Sequence, residues 1–335
     1  MSGPPAPQSA PARRLTELLA PVAGDLATVE GWLQSQFEPS DEALQPLLAH
    51  LGRFRGKRLR AAQVLLVGRA CGGLRPVHVA VAGIIEMIHA ATLVHDDLLD
   101  GARQRRGQPC LHERWGAHAA VLLGDWVYAR AFLRSTGLED GLCSRVLAEA
   151  TGRVCRGEIL QNLSRGRFDL TEEEYMEQID GKTGALYEAG GRLAAAYAGA
   201  PEEVAAAAAA HGRDAGRAFQ MMDDLLDLTG DPERVRKSLG TDWAGGKMTL
   251  PLIRLRERLA PGLRRRLETA FQAGGDPGIL RREPFRGPFE EAVEECRSEI
   301  RALLVRAASS LETLPAGPDR DALARLTEFL GVRPF

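Results

Sequence analysis

At 335 residues, with 44% hydrophobic and 26% charged residues, the chain holds enough apolar material for a sizeable core, which excludes disorder over most of its length. A formal net charge of -2 gives no basic footprint, so nucleic acid is excluded as a partner. Five cysteines without a CxxC pair suit a reducing compartment, and a cytoplasmic protein is expected.

The opening MSGPPAPQSAPARR lacks the apolar stretch of a secretory signal; residues 1–13 are expected to be a disordered tail and residues 14–335 one helical domain. From residue 14 onward Ala and Leu abound and no stretch alternates apolar and polar residues for the length of a strand, so the fold class is all-α. Between 77 and 100, Val81, Ile84, Ile85, Ile88, Thr92 and Leu93 recur at three and four, which predicts a long helix with one apolar face and Pro76 in its first turn. Similar patterns cover 111–135, 142–163 and 172–199. The next helix, 201–231, starts with Pro201, Glu202 and Glu203 and contains an alanine run, 205–210, suited to close packing. AGGDPGILRREPFRGP, 273–288, is too rich in Gly and Pro for a helix and is expected to be a surface loop. No Gly/Ser linker divides the chain, and no run of about 18 uncharged apolar residues predicts a transmembrane segment.

The string DDLLD occurs twice, as Asp96, Asp97, Asp100 and as Asp223, Asp224, Asp227. Residues four apart project from nearly the same side of a helix, so Asp96 and Asp100 converge, as do Asp223 and Asp227. Both trios fall toward helix C-termini, where the macrodipole disfavours negative charge. A solvated helix face is therefore a poor explanation. Hard divalent cations relieve such repulsion, and Mg²⁺ is commonly held by a few carboxylates plus phosphate oxygens, so two facing trios suit a diphosphate clamped between metals. Cations lie nearby in sequence: Arg103, Arg105 and Arg106 after the first trio, Arg55, Lys57, Arg58 and Arg60 upstream, and Lys237 and Lys247 after the second, in a Gly-rich loop able to move over the site. Lys182 stands in GKTG. His89 lies two turns before Asp96, and Gln220 one turn before Asp224; each reads equally as a core residue or a ligand contact.

The ordered set GKRLR, LVHDDLLD followed by RRG, GDWVYARAF, GEILQ, KT, FQMMDDLLD and KSLGTDWAGGK resembles the trans-isoprenyl diphosphate synthases, the polyprenyl synthetases, over roughly residues 14–335. The resemblance implies a helical fold with a deep central cavity, usually a homodimer, and condensation of isopentenyl diphosphate with an allylic diphosphate aided by three Mg²⁺. It implies that Asp96 and Asp100 bind two ions with Asp97 in support, and that Asp223 binds the third, with Asp224 and Asp227 acting partly through water. By the same resemblance Arg105, Lys182, Thr183, Lys237 and Lys247 contact substrate diphosphate, Lys57, Arg60, His89 and Arg106 form the isopentenyl diphosphate site, and Gln220 is a nearby cavity contact. Met248 departs from the proline of many relatives.

Small residues at Ala91 and Thr92, where aromatic side chains close the pocket of short-product relatives, imply a product longer than twenty carbons; Met87, Ile84, Tyr128 and Phe132 are candidate floors deeper down. Two further readings stand beside this one: a short-chain farnesyl or geranylgeranyl diphosphate synthase, and a non-catalytic partner subunit of a heteromeric prenyl synthase. A terpene cyclase would share the ionisation step but needs no second diphosphate site.

Overall fold

The computed structural model describes residues 10–37, 42–52, 56–105, 107–138, 140–230 and 239–331. Residues 10–13, expected in the tail, instead begin helix α1 (Ala10–Leu19), whose Leu15 is buried; residues 1–9 lie outside the described region. Helices α2 (Ala23–Gln36), α3 (Gln45–Leu51) and α4 (Leu59–Ala70) lead to α5 (Pro76–Leu99), the axis of the larger core.

Pro76 occupies the first turn of α5, where its missing N–H costs nothing, and the His78 ring accepts the Arg75 N–H at 2.9 Å. Val81, Ile84, Ile85 and Ile88 are fully buried, as their spacing predicts. Trp32 of α2 covers Gly83 so closely that a Cβ there would lie 2.2 Å from its ring. Contrary to the sequence expectation, α5 is by length and composition apolar enough to cross a membrane, but 61% of that window is buried among α4, α6 (Leu111–Thr136) and α9 (Ala185–Tyr197). It is the core helix of the bundle. A two-residue antiparallel hairpin, Gln104–Arg105 with Gln108–Pro109, interrupts the all-helical plan after α5; it is too short to leave an alternating pattern in sequence.

Helices α7 (Leu142–Leu163) and α8 (Glu172–Ile179) precede α9, and α8 joins α9 through a π turn, Asp180–Gly184. The long α10 (Glu202–Thr229) packs backbone to backbone on α9: a Cβ on Gly191 would lie 2.1 Å from the Ala208 carbonyl oxygen, so the alanine run serves close approach. The first half of α10 contributes Ala205, Ala208 and Ala215 to the larger core; its second half contributes Met221, Met222, Leu225 and Leu228 to a second one. That second core is closed by α11 (Thr241–Ala244), α12 (Leu250–Arg258), α13 (Pro261–Gln272) and α14 (Arg286–Ser310), with α15 (Pro318–Gly331) returning to the first. Segment 273–288 is not a free surface loop: it holds a 3₁₀ turn, Pro277–Arg281, buries Leu280 and Phe285, and passes into α14 at Arg286.

Candidate active site

The two acidic trios lie at the C-terminal ends of α5 and α10. In the first, Asp97 is buried and both its oxygens accept from Arg105, Nε at 2.8 Å to each and Nη2 at 2.6 Å to Oδ1, which ties the small hairpin to α5. Asp100 accepts from Arg165 Nη2 at 2.5 Å and Lys247 Nζ at 3.1 Å. Burial alone would raise its carboxyl, but Lys247, Arg165 and Lys182 outweigh it and hold Asp100 below the usual carboxylate range.

Asp96 is served less well. Lys182 Nζ stands 3.9 Å from its Oδ2, having spent itself on Glu158 at 2.7 Å and Gln161 Oε1 at 3.1 Å. Burial, with Glu158 and Asp100 close by, pushes the Asp96 carboxyl up to about 7 despite that lysine. The Lys182 ammonium moves the same way: burial opposes its charge, but Asp96 and Glu158 more than compensate and raise its pKa. Lys182 leaves the π turn where α7 touches it backbone to backbone, since a Cβ on Gly157 would lie 2.7 Å from the Lys182 nitrogen.

In the second trio Asp224 is buried and accepts from the Tyr175 hydroxyl at 2.7 Å and Gln220 Nε2 at 2.8 Å. Burial and the charge of Asp242 push it up to about 7 against those hydrogen bonds. Asp227 caps α11, accepting from Thr241 N at 3.2 Å, Thr241 Oγ1 at 3.0 Å and Asp242 N at 3.0 Å. Asp223, one position before Asp224 on α10, is half-buried. The trios are linked through intermediates: Lys247 lies 3.1 Å from Asp100 and 3.5 Å from Asp242, whose N–H donates to Asp227, and Thr183 Oγ1, beside Lys182, donates at 2.7 Å to Gln220 Oε1, whose amide donates to Asp224.

A separate cavity of about 350 Å³ is lined by Gly56, Arg58, Glu86 and His89 and by apolar Leu33 and Leu93, so it reaches α5 on the turns before Asp96. Arg58 adopts the left-handed region (φ 52°) and pairs with Glu30 at 3.1 Å and Glu86 at 3.0 Å; Lys57 beside it is exposed. Arg60 turns onto the Tyr187 ring, 4.7 Å from its centroid, and its buried Nε has no hydrogen-bond partner among the described residues.

The polyprenyl synthetase model matches residues 41–278, which include both trios and every basic residue above. The chain belongs to the polyprenyl synthetase family. It is 34% identical to the octaprenyl diphosphate synthase of Escherichia coli (strain K12) over 310 residues, 91% of this chain and 94% of that one. It is also 35% identical to a short chain isoprenyl diphosphate synthase of Methanothermobacter thermautotrophicus over 86% of this chain and 90% of the relative. Among solved structures, a polyprenyl synthase from Caulobacter crescentus complexed with calcium and isoprenyl diphosphate superposes with a TM-score of 0.87 at 30% identity, covering 96% of this chain and 98% of that one. This polyprenyl synthetase is therefore a prenyltransferase with the all-helical fold of its relatives.

Of the basic residues expected at the site, Arg55, Arg106 and Lys237 lie outside the described residues. The Gly-rich stretch expected to move over the site is anchored where it is described: Trp243 is fully buried with its ring edge-on to Phe271, and Met248 is buried in the second core. Gln220, expected to face the cavity, has its amide engaged by Thr183 and Asp224. Arg103 is 85% exposed and its nearest carboxylate is Glu113, so it is surface charge. Ala91, Met87 and Ile84 are fully buried, whereas Thr92 and Phe132 are partly so. Three residues of the site are not singled out by sequence: Glu158, although it lies in GEILQ, Arg165 in a loop, and Tyr175 on α8.

Proposed function

We propose that the cleft condenses isopentenyl diphosphate head-to-tail (1′-4) with an allylic diphosphate, building an all-trans polyprenyl diphosphate longer than twenty carbons with Mg²⁺ as its cofactor, three ions per site. The observation that carries this reading is geometric: Asp96 and Asp100, one turn apart at the end of α5, stand with Lys182 Nζ 3.9 Å and Lys247 Nζ 3.1 Å away, respectively, carboxylates and cations gathered where a metal-bound diphosphate would sit. Among the described residues no three His, Cys, Asp or Glu side chains converge on one point. Such a donor set does not make a protein cage, but it fits Mg²⁺, which is usually held by one or two carboxylates completed by substrate phosphates. Asp96, Asp100 and Asp223 are the proposed ligands. When bound, the metal offsets charge building on the departing diphosphate.

Arg105, Lys182 and Lys247 line the acidic cleft and supply fixed positive charge to the diphosphate as the allylic C–O bond breaks. Lys237 joins them by sequence position, and Arg106 belongs by the same criterion with the second diphosphate site. Lys57, Arg60 and His89 form the second diphosphate site, supported by the buried, unpartnered Nε of Arg60. That site holds the attacking double bond close to the allylic carbon, and the surrounding apolar residues keep water from the cation. The departing diphosphate takes the final proton.

A second copy of the chain is the proposed partner. Leu122 and Leu133 on α6 are 67% and 59% exposed, and Ile159 and Leu163 on α7 are 58% and 76% exposed. The small side chains of Ala91 and Thr92 are the ground for a long product. The purified protein, given Mg²⁺, isopentenyl diphosphate and farnesyl diphosphate, is expected to yield a product ladder ending well beyond twenty carbons, with Ala91→Phe stopping shorter. A single short product overturns the chain length, and no incorporation with any allylic primer favours a non-catalytic partner subunit.

A further inference from the structure

On the side of the π turn away from the acidic cleft, a polar cavity of about 450 Å³ is lined by Arg153, Arg156, Glu177, Asp180, Arg213 and Arg217. Its charges are matched rather than open: Arg156 pairs with Glu177, and the remaining arginines converge on Asp180. The cavity is therefore not an anion site. Asp180 Oδ1 accepts from Arg213 Nε at 2.6 Å and Arg217 Nε at 2.7 Å, and Oδ2 from Arg153 Nη2 at 2.8 Å and Arg213 Nη2 at 3.0 Å. Arg153 belongs to α7 and the other two to α10, so a single carboxylate joins both flanking helices to the first residue of the π turn. Burial would raise that carboxyl, and the arginines, Arg213 foremost, hold it below the usual range. Two residues later, on the opposite face of the turn, stands Lys182. A Cβ on Gly181 between them would lie 2.6 Å from the Arg153 carbonyl oxygen, which leaves the backbone little room to turn in any other way.

We infer that Asp180 is a positioning residue for the prenyl transfer: its arginine clamp fixes the π turn so that Lys182 is aimed at the acidic cleft. The inference rests on the reading of Lys182 as a contact to the allylic diphosphate. Misaiming a binding cation raises KM for the substrate it holds, whereas a merely destabilised protein loses active molecules and lowers kcat alone. Asp180→Asn is expected to raise the allylic KM about tenfold while changing the isopentenyl diphosphate KM by less than about twofold, with Asp180→Glu recovering most of the loss. Lys182→Ala, measured in parallel, separates the two claims. A raised allylic KM in Lys182→Ala beside an unchanged one in Asp180→Asn overturns the inference alone, even if Asp180→Asn melts earlier. An unchanged allylic KM in Lys182→Ala overturns the diphosphate contact and the inference with it. Should Asp180→Asn fail to fold, Arg213→Lys, which keeps the charge but loses the two-pronged contact, carries the same expectation and the same overturning result.

Discussion

Asp224 is buried and held by the Tyr175 hydroxyl and the Gln220 amide, while its neighbour Asp223 sits half-buried one position back on α10. The two should respond differently to removal. Asp223→Ala is expected to lower turnover about a thousandfold with little change in unfolding temperature, because it removes charge from the cleft without opening the core. Asp224→Ala leaves the buried Tyr175 hydroxyl without its acceptor and is expected to cost roughly 1–3 kcal/mol of stability, read from denaturant unfolding. Equal losses of turnover with equal destabilisation would remove the distinction. The repeated DDLLD showed in sequence that both trios need compensation, since spacing alone places their carboxylates side by side. Which aspartate faces the cleft and which is tied to the protein depends on Tyr175, 49 residues away, and on Arg165, 65 residues from Asp100. No local spacing records such pairings.

At the scale of elements, helix periodicity located α5, α6, α7 and α10, although residues 81–88 of α5 are buried on every side rather than on one face, and Gly116 (φ 83°) kinks α6 near its start. The π turn was legible only as a pair of glycines around Lys182; what they permit is the approach of α7, a tertiary fact. In segment 239–248 glycines dominate the local signal and suggest mobility, while the burial of Trp243 and Met248, which no local spacing records, ties the described part to the second core. Asp227 takes part in that anchoring as the cap of α11. Asp227→Ala is expected to destabilise the protein by about 1 kcal/mol through loss of the cap and to raise hydrogen exchange at Thr241 and Asp242, while retaining more turnover than Asp223→Ala. An unchanged exchange rate at those amides would show that the cap does not hold the segment.

At the scale of the whole molecule, His211 of α10 is fully buried and hydrogen-bonds through Nδ1 to the Ala307 carbonyl of α14 at 3.1 Å, so the long helix and the C-terminal layer share one neutral imidazole. Burial holds its pKa down at about 4, from an ordinary 6.5. An unfolded chain takes up this proton near 6.5 and the folded one only near 4, so the stabilisation is full above 6.5 and declines as the pH falls toward 4. The loss amounts to about 3 kcal/mol. In His211→Gln the unfolding free energy should fall less steeply over that interval; an unchanged slope would place the acid sensitivity elsewhere. The other molecular-scale feature is the apolar surface on α6 and α7. Leu122 and Leu133 are eleven residues apart, about three turns, and Ile159 and Leu163 are four apart, so each pair shares one face of its helix. Four large aliphatic side chains on two helices that pack together are costly to leave in water, and a second copy presenting the same face can cover them about a two-fold axis. Leu122→Glu with Leu163→Glu is expected to convert a dimer to a monomer in sedimentation equilibrium, because each new carboxylate would be buried without a cation on both sides of the axis. A monomeric parent protein, or a dimer unaffected by both charges, would place the contact on another face.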